Sequence, residues 1–203
     1  FKMEREIRRK IPITYLNIWD DLPAPLYNKP FYQSCDLLMG ISKQTVFINK
    51  TVLGDDIEDR ICNYVPHGLN SDIFRPITEL DKDYGKYLEF KNKVQGNAGI
   101  EFTLFFNSRN IRRKQIPDSL LAFRGFLDSL PLEKAKKCRF ILHTEPSSDH
   151  GTNLVKVSEL LFDEKYKECI VFSTAKLPPH ELNYLYNIAD AQILLTSNEG
   201  WGL

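Results

Sequence analysis

Short, unbroken apolar runs alternate along this chain with stretches whose apolar positions recur at helical spacing. The runs are Ile11 to Leu16, Asp36 to Ile41, Ile61 to Val65, Phe102 to Phe106, Arg139 to His143, Ile170 to Phe172 and Ala191 to Thr196. A strand with one wet face alternates polar and apolar side chains. One covered on both faces need not, so these runs predict parallel strands lying between layers of helix. Between them, Ser42 is placed to cap a helix running through Val46 and Leu53. Ile116, Leu120, Phe123 and Leu127 mark the buried stripe of a second helix, and a third starts at Pro178-Pro179 and buries Leu182, Leu185, Tyr186 and Ala189. Neither internal repeats nor low-complexity segments interrupt the pattern.

The rhythm breaks between Ile77 and Gly99, where Glu79, Asp81, Lys82, Asp83, Lys86, Glu89, Lys91 and Lys93 crowd together before Gln95-Gly96-Asn97-Ala98-Gly99. This reads as a domain connection carrying one solvated helix. Three strands precede it and four follow. The expected fold class is therefore α/β, with two Rossmann-like doubly wound parallel-sheet units, both incomplete: residues 1–76, a connector over 77–99, and residues 100–203. A single doubly wound sheet is the competing arrangement. Since the sequence starts at Phe1 and stops just after a strand, where a helix is expected, it reads as a piece of a larger protein.

Composition narrows the classes. At 42% apolar residues the chain can build a core, and Lys plus Arg equals Asp plus Glu at 27 each, so no global field invites nucleic acid or an anionic membrane. Cys35, Cys62, Cys138 and Cys169 lie far apart without a C-x-x-C pair, which favours buried free thiols in a reducing compartment. No apolar stretch approaches the ~20 residues of a membrane span, and the N-terminus lacks a signal peptide's apolar core. The expected location is cytoplasmic, compatible with peripheral attachment at the inner membrane face.

The residues with the clearest chemistry are at strand ends. After Phe106 comes Asn107-Ser108-Arg109-Asn110-Ile111-Arg112-Arg113-Lys114, directly before a helix that Pro117 helps to start. Cations between a strand end and a helix N-terminus suit a phosphate or diphosphate. Arg109 and Lys114 are aimed at a cleft, and Arg112 reads as solvated. Glu199-Gly200-Trp201-Gly202-Leu203 follows the last strand, where glycines let backbone amides approach a ligand. Neither G-x-G-x-x-G nor G-x-x-x-x-G-K-[ST] occurs, which disfavours NAD-dependent oxidoreductases and P-loop ATPases, and the absence of G-x-S-x-G disfavours an α/β hydrolase. Asp20-Asp21 offers paired carboxylates for a divalent cation but reads better as a turn before Pro23. Asp81-Lys82-Asp83 reads as solvated surface. His67, in Pro66-His67-Gly68, and His143 are further candidates for a cleft, and the spacing of His143 and His150 matches no familiar zinc pair.

Taken in order, several of these segments resemble the retaining glycosyltransferases of the GT-B fold, the large family 4-like group. Ile41-Ser42 resembles the serine that opens a helix late in that family's first domain. Val65-Pro66-His67-Gly68-Leu69-Asn70 with Phe74-Arg75-Pro76 resembles its exit segment. Arg109 and Lys114 match the arginine and lysine of its diphosphate site, Leu182 to Asp190 resembles its L-x-x-L-Y-x-x-A-D helix, and Glu199 to Leu203 its E-G-F-G-L loop. Ser108 and Gln115 stand where glycines are common, and Trp201 where phenylalanine is.

The resemblance implies a metal-independent, retaining transfer of sugar from a nucleotide-diphosphate sugar to a glycan, lipid or protein acceptor, with no cofactor besides that substrate. Glu199 is then the catalytic carboxylate at the transferred sugar. Arg109, Lys114, Gly200, Trp201, Gly202 and Leu203 bind the donor, and Arg113, His67 and His143 line the cleft. No metal ligand is implied. As cut, the chain is expected to be inactive. Two rival readings stay open: a non-catalytic nucleotide or sugar binding module, and a metal-dependent transferase using Asp20 and Asp21.

Overall fold

The computed structural model describes residues 3–57, 62–96 and 99–201, and the chain divides into two compact units. The first comprises Phe1–Leu69 with Asn198–Leu203, the second Asn70–Ser197. The first unit runs α1 (Glu4–Arg8), β1 (Thr14–Asn17), α2 (Lys29–Gln33), β2 (Leu37–Gly40), α3 (Lys43–Leu53) and β3 (Cys62–Tyr64). The second runs α4 (Tyr84–Gln95), β4 (Phe102–Asn107), α5 (Ile116–Asp128), α6 (Leu132–Ala135), β5 (Cys138–His143), α7 (Leu154–Leu161), β6 (Ile170–Ser173), α8 (Pro179–Ile188) and β7 (Ala191–Gln192). Each unit has its own parallel sheet, ordered β1-β2-β3 in the first and β6-β5-β4-β7 in the second, so the single-sheet alternative is ruled out.

In the first unit, Asn17 at the end of β1 pairs with Gly40 at the end of β2, and Gly40 with Tyr64 at the end of β3. The core gathers Tyr32, Leu38, Ile48, Val52 and Leu53. Ser42 caps α3 as its sequence predicts, its hydroxyl accepting from the Thr45 amide at 3.0 Å. The buried Asn17 amide donates to the Tyr32 hydroxyl at 2.8 Å and to the Asn49 carbonyl oxygen, fixing the strand's carboxyl end without an apolar contact. The first strand begins later than the run Ile11 to Leu16 suggests. Ile11 is exposed, and the Ile13 amide is taken by the Asp36 carboxylate. Ile61, expected to open β3, lies outside the described residues, as do Asn97 and Ala98.

The second unit has three layers, and the period-2 geometry of a strand explains them. Phe106, Phe140 and Leu142 face α5 and α7, where Ile116, Leu120, Phe123 and Leu127 form the expected buried stripe. Each such side chain contributes about 1.5–3 kcal/mol by leaving water. Phe105 and Ile141 face the other way, onto Tyr87 of α4 and Tyr184, Leu185 and Ile188 of α8. Charge along α4 suggests a solvated helix, yet Tyr87 is buried and stacks edge-on to Tyr184. For the same reason α8 buries more than one stripe. Asn183, Tyr184 and Ile188 join Leu185 because α4 covers its second flank, while Leu182, Tyr186 and Ala189 are half-buried.

The exit segment docks on α8 within this unit. The Arg75 carbonyl accepts from Asn183 and Asn187, each at 3.0 Å, and Phe74 packs edge-on to Tyr186. Asp81 is not loose surface: it accepts from the Thr78 amide and hydroxyl and pairs with Arg75. The Arg75 guanidinium holds its carboxyl well below the usual carboxylate range. All four cysteines are free, and burial pushes each thiol up. No helix among the described residues is long and apolar enough to cross a membrane.

Candidate functional site

The order β6-β5-β4-β7 places a reversal of strand order within the second unit. From β4 the chain steps outward to β5 and β6, then returns to the far side of β4 for β7. The direction reverses between β4 and β7, and at such a point the loops leaving neighbouring carboxyl ends part to opposite faces and open a crevice. The basic loop leaves β4 there. Arg109 and Arg112 are exposed, Arg113 is half-buried, and Lys114 is buried at 7% exposure in a single 3₁₀ turn over Arg112–Lys114. That turn delivers the chain to α5, whose first amides have no partners within the helix and whose dipole favours an anion.

The loop after β7 meets the basic loop directly. Ala191 and Gln192 are exposed, so β7 is an edge strand rather than the buried run its sequence suggests. One further bond, Ile193 N–H to the Phe105 carbonyl at 3.0 Å, continues the ladder. The chain then departs because the Arg113 carbonyl accepts from the Ser197 amide at 3.0 Å and the Thr196 hydroxyl at 3.2 Å. This diversion is why the expected strand to Thr196 stops short.

Two features of the basic loop have no signature in the motif. Gln115, at the Ncap of α5, is left-handed at φ 47° and ψ 43°, the only non-glycine with positive φ among the described residues. Side chains with a Cβ pay for that conformation, which a glycine adopts freely. Asn110, 3% exposed, ties the loop to the one after β5: its amide donates to the carbonyls of Glu145 (3.0 Å) and Thr152 (2.7 Å), and its oxygen accepts from the Thr152 amide (3.1 Å). The Arg112 amide adds a bond to the His150 carbonyl at 3.1 Å. Sequence reasoning missed Asn110 because a single Asn in a basic run carries no spacing signal.

Beside this reversal, the carboxyl edge carries a polar row. Asn107 donates to the Tyr186 hydroxyl at 2.9 Å, and His143 Nδ1 lies 3.0 Å from the Ser173 hydroxyl. Burial pushes the His143 imidazole below its usual range, so it is neutral at pH 7. His143 faces β6, away from the reversal between β4 and β7, and His150 is exposed, so the two histidines do not form a pair. No group of three or more His, Cys, Asp or Glu side chains among the described residues is placed to hold a metal ion.

In the first unit, Asn198 to Trp201 lies across the carboxyl ends of its strands. Asn198 donates to the Asp20 carboxylate at 3.2 Å, and Trp201 contacts the Tyr64 ring at a 6.2 Å centroid separation. A Cβ on Gly200 would stand 3.0 Å from the Ile18 carbonyl oxygen, a tight backbone approach that favours a glycine there. Glu199 is half-buried, and Gly202 and Leu203 lie outside the described residues. Asp21 is occupied as a turn residue, its carboxylate accepting from the Leu22 amide at 2.9 Å and its carbonyl from the Trp19 indole at 2.8 Å. His67 is exposed in the segment after β3.

Two separate parallel sheets, each in a Rossmann-like unit, define an α/β protein with the fold halves of the GT-B type. No protein-family model matches the chain, and no curated protein sequence matches it. Among solved structures, an α,α-trehalose 6-phosphate synthase from Burkholderia multivorans is similar at a TM-score of 0.66 and 11% identity, over 97% of this chain and 48% of that one. A UDP-forming α,α-trehalose-phosphate synthase from Burkholderia vietnamiensis is similar at 0.60 and 13% identity, with the same coverage. The chain therefore spans about half the length of the structures it matches, and at this identity the likeness is one of fold.

Proposed function

We propose that this chain belongs to a glycosyltransferase and that its second unit binds a nucleoside-diphosphate sugar. The observation that carries the reading is the basic loop at the reversal point between β4 and β7, with Arg109, Arg113 and Lys114 beside the N-terminus of α5. Cations and a helix end there suit a diphosphate, and the fold is one in which nucleotide sugars are used. Breaking the bond between sugar and diphosphate develops negative charge on the leaving phosphate and positive charge on the ring. Arg109 and Lys114 stabilise the first. Glu199, which the resemblance implies is the carboxylate at the transferred sugar, supports the second, with Gly200 and Trp201 as the sugar-contacting residues it implies.

In this reading the transfer is metal-independent, because side-chain cations do the work a divalent ion does elsewhere, and it is retaining, as the resemblance implies. The nucleotide to try first is UDP, the product in the second structural relative's name. The acceptor is a glycan, a lipid or a protein. Calorimetric titration with UDP, ADP and GDP tests the reading: binding by the unaltered protein, lost in R109A, supports it, and equal binding in R109A overturns it. In an intact, active form of the protein, full transfer activity in a chelator supports metal independence, and loss of activity under those conditions refutes it.

A further inference from the structure

We propose that Asn110 is a positioning residue, clamping the loop after β5 to the basic loop so that Arg109, Arg113 and Lys114 are held ready for a diphosphate. The inference rests on the donor-binding role given to that loop above. An asparagine amide has two N–H donors, and here both are used on backbone carbonyls of one neighbouring loop while its oxygen takes an amide from the same loop. The residue is 3% exposed, so water does not substitute for these bonds. Gly151 completes the clamp. A Cβ there would collide with the carbonyl and side-chain oxygens of Asn110, so the two loops meet closer than any other residue permits.

The ties alternate along the basic loop in a way that fixes its cations. The Asn110 side chain and the Arg112 amide point inward to the β5 loop, and the Arg113 carbonyl is taken by Thr196 and Ser197 from the β7 side. With its backbone fixed on both flanks, the loop leaves at Gln115 in a left-handed conformation that a side chain resists. A strained residue persists only where its surroundings over-determine it, and the clamp supplies that determination. Neither small alternative satisfies all three bonds: aspartate has no N–H to donate, and alanine leaves two carbonyls and an amide unanswered.

The test uses N110A, N110D and G151A in the protein, with UDP, ADP and GDP as probes and the parent nucleosides as controls. All three variants leave every cation in place. The expected result is a roughly tenfold to hundredfold loss of diphosphate affinity with nucleoside affinity unchanged, since misplacement by about an ångström has consequences of that size. Amide exchange at Arg112 is expected to rise in parallel, and at Thr152 in N110A and G151A, since aspartate at position 110 keeps an acceptor for the Thr152 amide. Should N110A fail to fold, N110D and G151A decide the matter, because each perturbs only one side of the clamp. Folded variants that bind the diphosphate as tightly as the unaltered protein overturn this inference alone. An unaltered protein that binds no nucleoside diphosphate overturns the proposed function, and this inference with it.

Discussion

Asp190→Ala is expected to destabilise the second unit by about 1.5–2 kcal/mol, through one hydrogen bond that the sequence motif around it does not advertise. Thr103, fully buried near the start of β4, donates its amide to the Asp190 carboxylate at 2.7 Å, and the Asp190 amide returns a bond to the Thr103 carbonyl at 2.9 Å. The β4–β7 ladder itself pairs only Leu104 with Ala191 and Phe105 with Gln192, so this carboxylate lengthens a short edge pairing by one step. Removing a charged acceptor from a buried N–H costs about 1.5–3 kcal/mol. Asp190 itself is exposed, which lets water reach the vacated position and sets the expectation in the lower half of that range. For a unit of this size each kcal/mol moves the midpoint by about 2–5 °C, so thermal unfolding should shift by roughly 5 °C. Asp190→Asn keeps a neutral acceptor and should recover at least half of the loss. Urea and thermal unfolding, with amide exchange read at Thr103, measure both variants. A change under about 0.5 kcal/mol in D190A, or equal losses in both variants, refutes the account.

Other expectations concern the crevice and its edge. Losing one charge-assisted contact to phosphate is worth about 1.5–3 kcal/mol, so R109A should weaken diphosphate binding by roughly 10- to 100-fold, and Lys114→Met, which keeps the buried stem, should do the same; unchanged calorimetric affinity in both removes the loop from the site. In an intact, active form of the protein, Glu199→Gln should abolish turnover while leaving diphosphate affinity intact, and a normal rate excludes the carboxylate from the chemistry. At position 115, stability should fall in the order Gly, Asn, Gln, Val over a span of about 1–2 kcal/mol, because tolerance of positive φ falls in that order; equal urea midpoints for Gly and Val would refute the strain. His143, its folded pKa depressed by burial, binds fewer protons folded than unfolded as pH drops below about 6.5, so stability should fall with pH in that window and level off below the folded pKa. The slope should flatten in H143Q, and an identical slope would contradict the neutral assignment.

Much of the architecture is legible in the sequence because both-face burial leaves a strong imprint. Phe105 and Phe106 point to opposite helical layers, and no amphipathic strand has that composition. The α5 stripe and the Ser42 cap are equally plain, since each depends on residues within one element. Edges are less legible. Ala191 to Thr196 reads as a buried strand, but where it ends is decided by the Arg113 carbonyl, far away in sequence. The charge of α4 likewise hides a helix whose Tyr87 is buried by α8. At the site, cation identity and the strand-to-helix context mark Arg109 and Lys114. Asn110, Gly151 and Asp190 are polar or small residues whose roles exist only once distant loops are brought together.

In the proposed function, these silent residues account for a local anion site on a chain with no net charge. At physiological ionic strength charges are screened beyond about 8 Å, so what a diphosphate meets is set by the few groups beside it and not by the balance of the whole molecule. Arg109, Arg113 and Lys114 belong to one short loop, and flexible side chains on a flexible loop would spread their charge over a large volume. Here the backbone beneath them is tied at Asn110 and Arg112 to the β5 loop and at Arg113 to the β7 loop. Lys114 is buried besides, where the medium screens its charge less than water does. The cations thus gain effect from neutral hydrogen bonds that never touch a ligand, and a sequence scan for charge alone finds the cations without their frame.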